Sequence, residues 1–447
     1  MAALATPGGS RTRLSCLLVY AGAVATPAVL AAALHRGTGD GVALRGGLTC
    51  ALLGFAVVAM QFVVSARLHW VERPFGLDRV YRFHKTMAVV ATVLLLSHPL
   101  LLALGYRSWL LFVSLRLPWA VYVGKLSVVA LLVTALVSLF RRALRLSFER
   151  WRVMHNAAGA LALLGGFAHG LSIGRDLTVR PMQVVWAMLL GVALTAYVVH
   201  QGRRRRGPAR GGFTVAEVKQ ETHNVWTVKL APPPGTSIPE YLPGQFHFLT
   251  LYRDRGLPVE EHLFTIASSP TDNRFLVSTI KESGDFTATI GETKPGDKAV
   301  IDGPYGRFSY LLYPDEGELV FIAGGIGITP LMSMLRYMRD TRAEREVLLL
   351  YGNRTEADIV FREEIAAMEA GSHPRLKVVH VLQEPGGAWK GGTGIIDREK
   401  LEWLCGPNVA GKAYYVCGPA GMMTSVLRTL RELGAPKARL HSERFAL

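Results

Sequence analysis

The sequence predicts a multidomain membrane protein, in which a six-helix transmembrane bundle precedes an antiparallel β-barrel domain and an α/β domain. Three features along the 447 residues support this order. The first 200 residues contain nearly all the long uncharged apolar runs. The following segment contains short apolar runs broken by Pro, Gly and Asn, and the remainder alternates strand and helix patterns. We place the three domains at residues 1–208, 209–312 and 313–447.

Composition and charge agree with a chain that lies partly in lipid. The hydrophobic content is 50%, and the mean hydropathy is positive. The formal net charge of +16 would suggest a nucleic-acid partner if the basic side chains followed one soluble face. Many of them stand instead in short clusters between apolar segments, where arginine sets the membrane topology. We therefore expect the lipid bilayer as a partner and no nucleic acid.

The cysteine pattern argues against two classes of site. The four cysteines, Cys16, Cys50, Cys405 and Cys417, form no CxxC pair and no closely spaced even framework. Neither a disulfide scaffold nor a structural zinc site is therefore expected. We place the C-terminal half in a reducing cytoplasm, where free thiols persist.

Six segments of roughly twenty apolar residues are long enough to span a bilayer as helices. The first follows Arg11 and Arg13 and ends near three alanines, a pattern that a cleaved signal peptide also has. We favour a retained helix, because this apolar run is long for a signal peptide. The predicted spans are Leu14–Leu34, Gly47–Ala66, Tyr81–Leu104, Ala120–Phe140, Val153–Ile173 and Pro181–His200.

The distribution of arginine predicts the orientation of these helices. Arginines are concentrated in the loops after the second and fourth helices and directly behind the sixth, and the alternate loops carry fewer. Both termini and the C-terminal half should then lie on the cytoplasmic side of the cell membrane. The third and fifth helices consequently run in the same direction, from inside to outside.

Two of the predicted helices carry histidines at the same separation. His84 and His98 are fourteen residues apart in the third helix, and His155 and His169 are fourteen apart in the fifth. Fourteen residues return a helix to within about 40° of its starting direction, about 21 Å further along. Each pair therefore lines one stripe, and two such helices side by side offer two facing histidine pairs. Nearby glycines that would let a flat macrocycle approach are Gly159, Gly165 and Gly166.

Two facing histidine pairs are what two six-coordinate haems need, so the four histidines are candidate metal ligands. The alternative is four polar residues satisfied at helix ends or inside the bundle. We favour haem, because intramembrane histidines are uncommon and the spacing repeats.

The segment after the linker at 202–212 has the pattern of a small antiparallel barrel. Its apolar runs are short and are separated by turn residues at regular spacing. The predicted strands are Phe213–Val218, Val225–Leu230, Gln245–Tyr252, His262–Ala267, Phe275–Ile280 and Lys298–Ile301.

From Glu318 the chain predicts a parallel sheet covered by helices on both faces, a Rossmann-like arrangement. The first strand, Leu319–Ala323, runs into the turn GGIGITP and then a helix with Thr329 as N-cap and Pro330 at its first position. Such a turn directs backbone N–H groups at a dinucleotide pyrophosphate, which makes Gly324, Gly325 and Gly327 candidate binding residues. The further strands are Val347–Tyr351, Lys377–Val381 and Ala413–Val416.

A second motif, YVCGP, ends the last of these strands, on the side where open α/β sheets bind ligands. Its Cys417, Gly418 and Pro419 are candidate nucleotide-binding residues, and Cys417 is also a candidate catalytic residue. The alternative for Cys417 is a small buried residue.

Four motifs in the barrel and its borders carry a family resemblance: PGQF at 243–246, HLFT at 262–265, KESGDFT at 281–287 and DGPYG at 302–306. With these motifs, residues 213–447 resemble the ferredoxin–NADP reductase type of flavoprotein. Within that type the resemblance is closest to the reductase half of NADPH oxidases and ferric reductases. The oxidase branch has proline where this chain has Leu263.

The resemblance implies roles for individual residues toward FAD. His262 should contact the flavin diphosphate, Phe264 should pack on the isoalloxazine, and Thr265, a candidate catalytic residue, should hydrogen-bond near its N5. Phe445 should cover the other flavin face and is the third candidate catalytic residue, with a terminal side chain packed on the barrel as the alternative. The remaining flavin-binding candidates are Gln245, Phe246, Leu263, Lys281, Gly284, Phe286 and Thr287.

The sequence favours NADPH over NADH, although NADH stays open. Arg354 follows a strand where the adenosine ribose would lie, and a guanidinium can clamp a 2′-phosphate. No acidic residue directly follows that strand to prefer a free 2′-hydroxyl. The alternative for Arg354 is a solvated surface charge.

The membrane half resembles the ferric-reductase transmembrane domain, whose third and fifth helices hold two b haems. The joint resemblance implies transmembrane electron transport from cytoplasmic NADPH through FAD, an inner haem at His84 and His155, and an outer haem at His98 and His169. The acceptor we favour is O2, giving superoxide. The alternatives are a ferric-chelate reductase, or a haem subunit that donates electrons to a periplasmic partner protein. Homo-oligomer formation is left open.

Overall fold

The structure is a computed structural model that describes residues 10–34, 41–141, 143–204, 212–254 and 256–443. The chain divides into two compact units. The first, within Gly8–Arg203, is built from helices and is named the membrane unit. The second, within Arg204–Leu447, contains both β-sheets and is named the two-sheet unit.

Six helices of the membrane unit are long and apolar enough to cross a bilayer, so the chain is a multi-pass membrane protein. The predicted spans are confirmed, and most extend a few residues beyond their predicted ends. Two short helices, His69–Phe75 and Leu110–Val113, were not predicted. The helices are α1 Ser10–Leu34, α2 Val42–Ser65, α3 His69–Phe75, α4 Leu77–Gly105, α5 Leu110–Val113, α6 Trp119–Leu139, α7 Phe148–Ile173 and α8 Arg180–Arg204.

Helix α2 lies at the centre of the membrane unit. Ala56 is fully buried, and Phe55 stacks on Trp186 of α8 with ring centroids 3.9 Å apart. At Gly54 an added Cβ would lie 2.7 Å from Cγ of Leu95, so the missing side chain lets α4 approach α2 closely. Helix α4 therefore packs mainly on α2, while α7 packs mainly on α6.

The first sheet of the two-sheet unit is antiparallel, with the strand order β4-β3-β6-β1-β2-β5. All six strands predicted for the barrel are present. The strands and the short helix between them are β1 Phe213–Thr222, β2 Val225–Ala231, β3 Phe246–Tyr252, β4 Glu261–Thr265, β5 Leu276–Lys281, α9 Asp285–Ala288 and β6 Lys298–Tyr305.

This sheet is not closed into the predicted barrel. Within the described residues, no ladder joins the edge strands β4 and β5. The sequence predicted that β4 would continue to Ala267, but the strand ends at Thr265. The chain then reaches β5 through a backbone hydrogen bond from the N–H of Ala267 to the carbonyl of Val277, 2.8 Å long. The early end of β4 leaves too few residues to complete a closing ladder.

The second sheet is parallel, as predicted, with the order β10-β9-β8-β7-β11-β12. Helices α10 and α11 cover one face around Leu331 and Ile365, and α12 and α13 cover the other around Leu401 and Met423. The strands are β7 Leu319–Gly324, β8 Glu346–Asn353, β9 Arg375–Leu382, β10 Gly392–Thr393, β11 Ala413–Cys417 and β12 Leu440–Glu443. The helices are α10 Ile328–Asp340, α11 Arg362–Glu369, α12 Arg398–Cys405 and α13 Ala420–Glu432.

Helix α10 begins two residues earlier than predicted, directly after the glycine-rich turn. Residues Gly325–Gly327 form a 3-10 turn that leads directly into helical geometry at Ile328. Thr329 is therefore inside the helix, where its hydroxyl donates to the carbonyl of Ile326 at 3.1 Å. The predicted N-cap at Thr329 and the predicted first position at Pro330 are wrong for this reason.

Candidate functional site

The four histidines predicted as metal ligands meet in two pairs between α4 and α7. The rings of His84 and His155 have centroids 6.2 Å apart and planes at 53°. The rings of His98 and His169 have centroids 6.3 Å apart and planes at 76°. All four side chains are half-buried. Because the earlier histidine of α4 faces the earlier histidine of α7, the two helices run in the same direction.

Three of the four histidines have a hydrogen-bond partner at Nδ1. His98 Nδ1 lies 2.9 Å from the carbonyl oxygen of Gly47, and His169 Nδ1 lies 2.8 Å from that of Ala120. A carbonyl only accepts, so both rings carry the proton on Nδ1 and leave the Nε2 lone pair free. His155 Nδ1 lies 3.2 Å from the hydroxyl of Ser138 on α6. Helices α2 and α6 thus orient the rings that α4 and α7 carry.

The donor set and the spacing of these rings fit a haem iron between the members of each pair. A metal–imidazole bond is about 2.0 Å long and the ring centroid lies about 1.1 Å behind the nitrogen. Two imidazoles on opposite sides of one metal therefore have centroids about 6 Å apart. Both observed pairs match this separation without movement of either helix.

The glycines near the histidines serve helix packing. Gly124 of α6 lies directly against His169, since an added Cβ would be 2.5 Å from its Nδ1. Gly124 was not predicted from the sequence, because its neighbour lies on another helix. Gly159, Gly165 and Gly166, which were expected to let a macrocycle approach, each face a side chain of α2 or α6.

The HLFT motif forms the end of β4, where polar and aromatic side chains lie together. His262 Nε2 lies 2.9 Å from a carboxylate oxygen of Glu260, and its ring stacks on Phe286 with centroids 4.2 Å apart. Phe264 and Leu263 are half-buried, and Thr265 is buried. The half-exposed Phe264 beside His262 offers an apolar face, which fits the isoalloxazine ring of FAD.

In the predicted phosphate-binding turn, backbone N–H groups donate to a side chain of the same turn. The N–H groups of Ser283 and Gly284 donate to Oγ1 of Thr287 at 2.8 and 2.9 Å. Phe286 points inward and is almost fully buried. Its side chain belongs to the core, so Phe286 itself presents little surface to a ligand.

A buried arginine under this turn was not predicted. The guanidinium of Arg253 donates to the carbonyl of Thr289 at 2.7 Å and to that of Pro258 at 3.3 Å, and it lies over the ring of Phe286. It brings a positive charge beneath the segment that was expected to bind phosphate. An arginine directly after the apolar strand FHFLTLY was the only sequence feature that could have indicated it.

Most of the remaining residues predicted to bind flavin make hydrogen bonds or packing contacts within the protein. Gln245 accepts from the N–H of Leu242 at 2.8 Å and donates to the carbonyl of Gly306 at 2.9 Å, so both ends of its amide are used. Phe246 is buried in the core, and Lys281 ends β5 half-buried. Gln245 and Phe246 therefore shape the strand before β4.

The two glycine-containing turns at the carboxyl ends of β7 and β11 touch each other. An added Cβ at Gly327 would lie 2.4 Å from the carbonyl oxygen of Cys417, and one at Gly418 would lie 2.9 Å from the amide nitrogen of Gly324. Above Gly325, whose φ is +52°, an added Cβ would meet open space. The backbones of the two turns form a glycine cradle at the ligand side of the sheet, with the side chain of Met422 beside Gly324 and Gly418 and open space above Gly325, which fits the close approach of a dinucleotide.

Cys417 is fully buried at the base of this cradle. Burial raises the pKa of its thiol well above the ordinary value, and the negative charge of Glu443 adds to the rise. The thiol is therefore protonated at neutral pH and is a poor nucleophile. Pro419, beyond it, is exposed at the start of α13. Phe445 lies outside the described residues, so its predicted contact with the flavin stays a prediction.

An acidic residue stands beside Arg354, contrary to the expectation from the sequence. Nε of Arg354, which follows β8, lies 3.1 Å from both carboxylate oxygens of Glu384, which follows β9. The two are thirty residues apart in sequence, and parallel pairing of β8 with β9 brings them together. The position after β8 thus presents a carboxylate as well as a guanidinium.

Two family matches cover parts of both units. Residues 50–166 match the family described as ferric reductase like transmembrane component. Residues 321–428 match the oxidoreductase NAD-binding domain. The first match includes three of the four paired histidines, and the second includes the glycine cradle.

Curated relatives align with about two fifths to half of the chain. The chain is 30% identical over 200 residues to NADH-cytochrome b5 reductase 1 of Laccaria bicolor, an alignment that covers 40% of this chain and 64% of that protein. It is 32% identical over 209 residues to the glycine betaine monooxygenase reductase subunit of Pseudomonas aeruginosa, covering 46% and 56%. The chain thus spans less than two thirds of each of these relatives.

One solved structure is similar to this chain in fold. The flavohaemoglobin of Malassezia yamatoensis aligns with a TM-score of 0.50 at 17% identity, covering 90% of this chain and 99% of that one. Together with the six membrane-spanning helices and the two sheets, the two family matches show that a ferric-reductase-like transmembrane component precedes an oxidoreductase NAD-binding domain in this chain, which is the domain order of the NADPH oxidase and ferric reductase family.

Proposed function

We propose that this chain moves electrons across the cell membrane, from cytoplasmic NADPH through FAD and two b haems to an acceptor on the opposite side. The observation that carries the proposal is the double histidine contact between α4 and α7, with ring centroids 6.2 and 6.3 Å apart. Fourteen residues of helix separate the two contacts. Two metal positions about 21 Å apart along the helices would reach from one side of a hydrocarbon core of about 30 Å toward the other.

In the membrane unit the proposed ligands are His84 and His155 for the inner haem and His98 and His169 for the outer haem. The carbonyls of Gly47 and Ala120 fix the tautomers of the outer pair. The Nε2 lone pairs of that pair are then available to iron without reorientation of the rings. Orienting a metal-bound histidine through its second nitrogen is common in metalloproteins.

In the two-sheet unit the glycine cradle at Gly324, Gly327 and Gly418 is the proposed pyrophosphate site, and the end of β4 is the proposed flavin site. Thr265 and Phe264 lie at that end, next to His262. When bound, FAD accepts a hydride from the nicotinamide and delivers electrons singly, and b haems carry single electrons. The backbone carbonyl of Cys417 makes the closest contact between the two turns, and the predicted catalytic role of this residue stays a prediction.

The cofactor content is the first test. We expect a dithionite-reduced minus oxidised spectrum of the detergent-solubilised protein to contain two low-spin b haems and one FAD per chain. His98→Ala should lose one haem and keep the flavin. A flavin spectrum without haem in the wild type would overturn the proposal and leave a membrane-anchored flavin reductase.

For the acceptor we propose O2, reduced to superoxide, because the HLFT form of the flavin motif lies closest to the oxidase branch. The second candidate is a ferric chelate, and the match of residues 50–166 to the ferric reductase like transmembrane component favours it. NADPH-dependent reduction of cytochrome c under air, with and without superoxide dismutase, separates the two. Dismutase-sensitive reduction supports O2, whereas NADPH oxidation that needs an added ferric chelate supports the second candidate.

A further inference from the structure

Ser138 on α6 is the centre of a three-way hydrogen-bond junction beside the inner histidine pair. Its Oγ lies 2.7 Å from the carbonyl of Thr134, 3.1 Å from Nε1 of Trp151 and 3.2 Å from Nδ1 of His155. Trp151 also packs against His155, with ring centroids 5.1 Å apart. A single hydroxyl therefore contacts a backbone carbonyl, an indole and a proposed iron ligand.

Proton counting fixes the direction of each bond at this junction. A serine hydroxyl has one hydrogen and two lone pairs. The carbonyl of Thr134 only accepts, so the hydroxyl hydrogen goes to it along the shortest of the three contacts. The indole N–H only donates, so it occupies one lone pair. The second lone pair accepts from Nδ1–H of His155, which leaves Nε2 of that ring unprotonated.

The two histidine pairs are consequently unequal. In the pair of His98 and His169, both Nδ1–H groups donate to backbone carbonyls. In the other pair, His155 donates to a hydroxyl shared with Trp151, and Nδ1 of His84 is buried without a hydrogen-bond partner in the described part of the chain. Ser138 is therefore the side chain through which the protein can act on the basicity of the inner ligands.

We propose that Ser138 is a positioning residue for His155 and sets the reduction potential of the inner haem. A hydrogen bond from Nδ1–H makes an imidazole a stronger electron donor and stabilises ferric iron relative to ferrous iron. Removal of the acceptor should therefore raise the potential of the inner haem and leave the outer haem unchanged. This inference rests on the proposed function, because it requires haem between His84 and His155.

The test is a redox titration of the purified full-length protein, followed in the haem absorbance bands. In Ser138→Ala we expect the ferric/ferrous equilibrium of one haem to shift by about three- to tenfold toward ferrous, about 30 to 60 mV for a one-electron couple. Ser138→Thr keeps the hydroxyl and should restore the wild-type value. Ser127→Ala is the matched control, because Ser127 lies on the same helix and its hydroxyl donates only to the carbonyl of Val123.

The shifted haem is assigned with His98→Ala, which should retain only the inner haem. Unchanged potentials in Ser138→Ala, an equal shift of both haems, or the same shift in Ser127→Ala would overturn the inference. A wild-type protein without haem would overturn the proposed function itself, so the two failures are distinguishable.

A second variant decides the question if Ser138→Ala does not assemble. Trp151→Phe keeps an aromatic ring beside His155 but removes the N–H that competes for the Ser138 oxygen. The hydrogen bond from His155 should then strengthen, and the potential of the same haem should fall. A rise or no change in this variant would contradict the role of Ser138.

Discussion

Nε of Arg354 lies 3.1 Å from both carboxylate oxygens of Glu384, at the edge of the parallel sheet where β8 and β9 end. The side chains are 70% and 60% exposed, so the pair contributes little to folding stability. We expect its position instead to affect which ribose the sheet edge accepts. The guanidinium attracts a 2′-phosphate, whereas the carboxylate repels it and can accept a hydrogen bond from a free 2′-hydroxyl.

We expect this pair to control discrimination between the two nicotinamide nucleotides. Glu384→Gln should tighten binding of 2′,5′-ADP about threefold, and Arg354→Ala should weaken it about tenfold. Binding of 5′-AMP, which lacks the 2′-phosphate, should change less than about twofold in either variant. Calorimetric titration with the two fragments measures both effects without turnover. Equal changes for the two fragments would show that the pair does not contact this part of the nucleotide.

The contact between Gly327 and Cys417 gives a second prediction. Gly327→Ala places a Cβ 2.4 Å from the Cys417 carbonyl oxygen, so the two turns must separate. Overpacking of this kind costs about 1–3 kcal/mol, and we expect at least about a tenfold rise in the KM for NADPH. The flavin content and dithionite-reduced haem spectrum should be retained.

Gly317→Ala is the control for this substitution, since an added Cβ there meets open space in the loop before β7. It should leave the KM unchanged. A wild-type KM in Gly327→Ala would mean that the nucleotide does not depend on the spacing of these turns.

The features that the sequence predicted correctly are those set by local periodicity. The fourteen-residue spacing of His84 and His98 fixes their common helix face regardless of what packs beside it. The strands of the parallel sheet were found for a similar reason, because both faces of β7 and β11 are buried and their sequences are continuously apolar.

The features that were missed depend on contacts between distant segments. Glu384 reaches Arg354 only through the register of β8 with β9, and Ser138 reaches His155 only through the packing of α6 on α7. Barrel closure failed as a prediction because it depends on a ladder between β4 and β5, which their separate sequences do not determine. Thr329 resembled an N-cap, but the 3-10 turn before it had already begun the helix.

A third prediction follows from the position of Gly124 against His169. Gly124→Ala places a Cβ 2.5 Å from Nδ1, the atom that donates to the carbonyl of Ala120. The ring must turn or withdraw, so we expect the outer haem to be lost or to lose its low-spin spectrum while the inner haem stays. Gly191→Ala on α8, where an added Cβ meets nothing, is the control and should keep both haems. Retention of two low-spin haems in Gly124→Ala would argue against His169 as a ligand in this rotamer.

His247 makes the stability of the two-sheet unit depend on pH. It is fully buried on β3, where Nε2 lies 2.8 Å from the hydroxyl of Ser278. Burial lowers its pKa from 6.5 to about 3. The folded state therefore holds this ring neutral, whereas the unfolded chain takes up a proton below pH 6.5. Its contribution to the free energy of unfolding is constant above that pH and decreases as the pH falls toward about 3.

We therefore expect urea unfolding of the full chain, followed by tryptophan fluorescence in detergent, to lose stability below pH 6.5. The slope assigned to His247 is at most about 1.4 kcal/mol per pH unit. His247→Gln keeps a hydrogen-bonding group but cannot be protonated, so it should lower the stability at neutral pH and flatten this slope. Parallel curves for wild type and His247→Gln would mean that other groups cause the acid sensitivity.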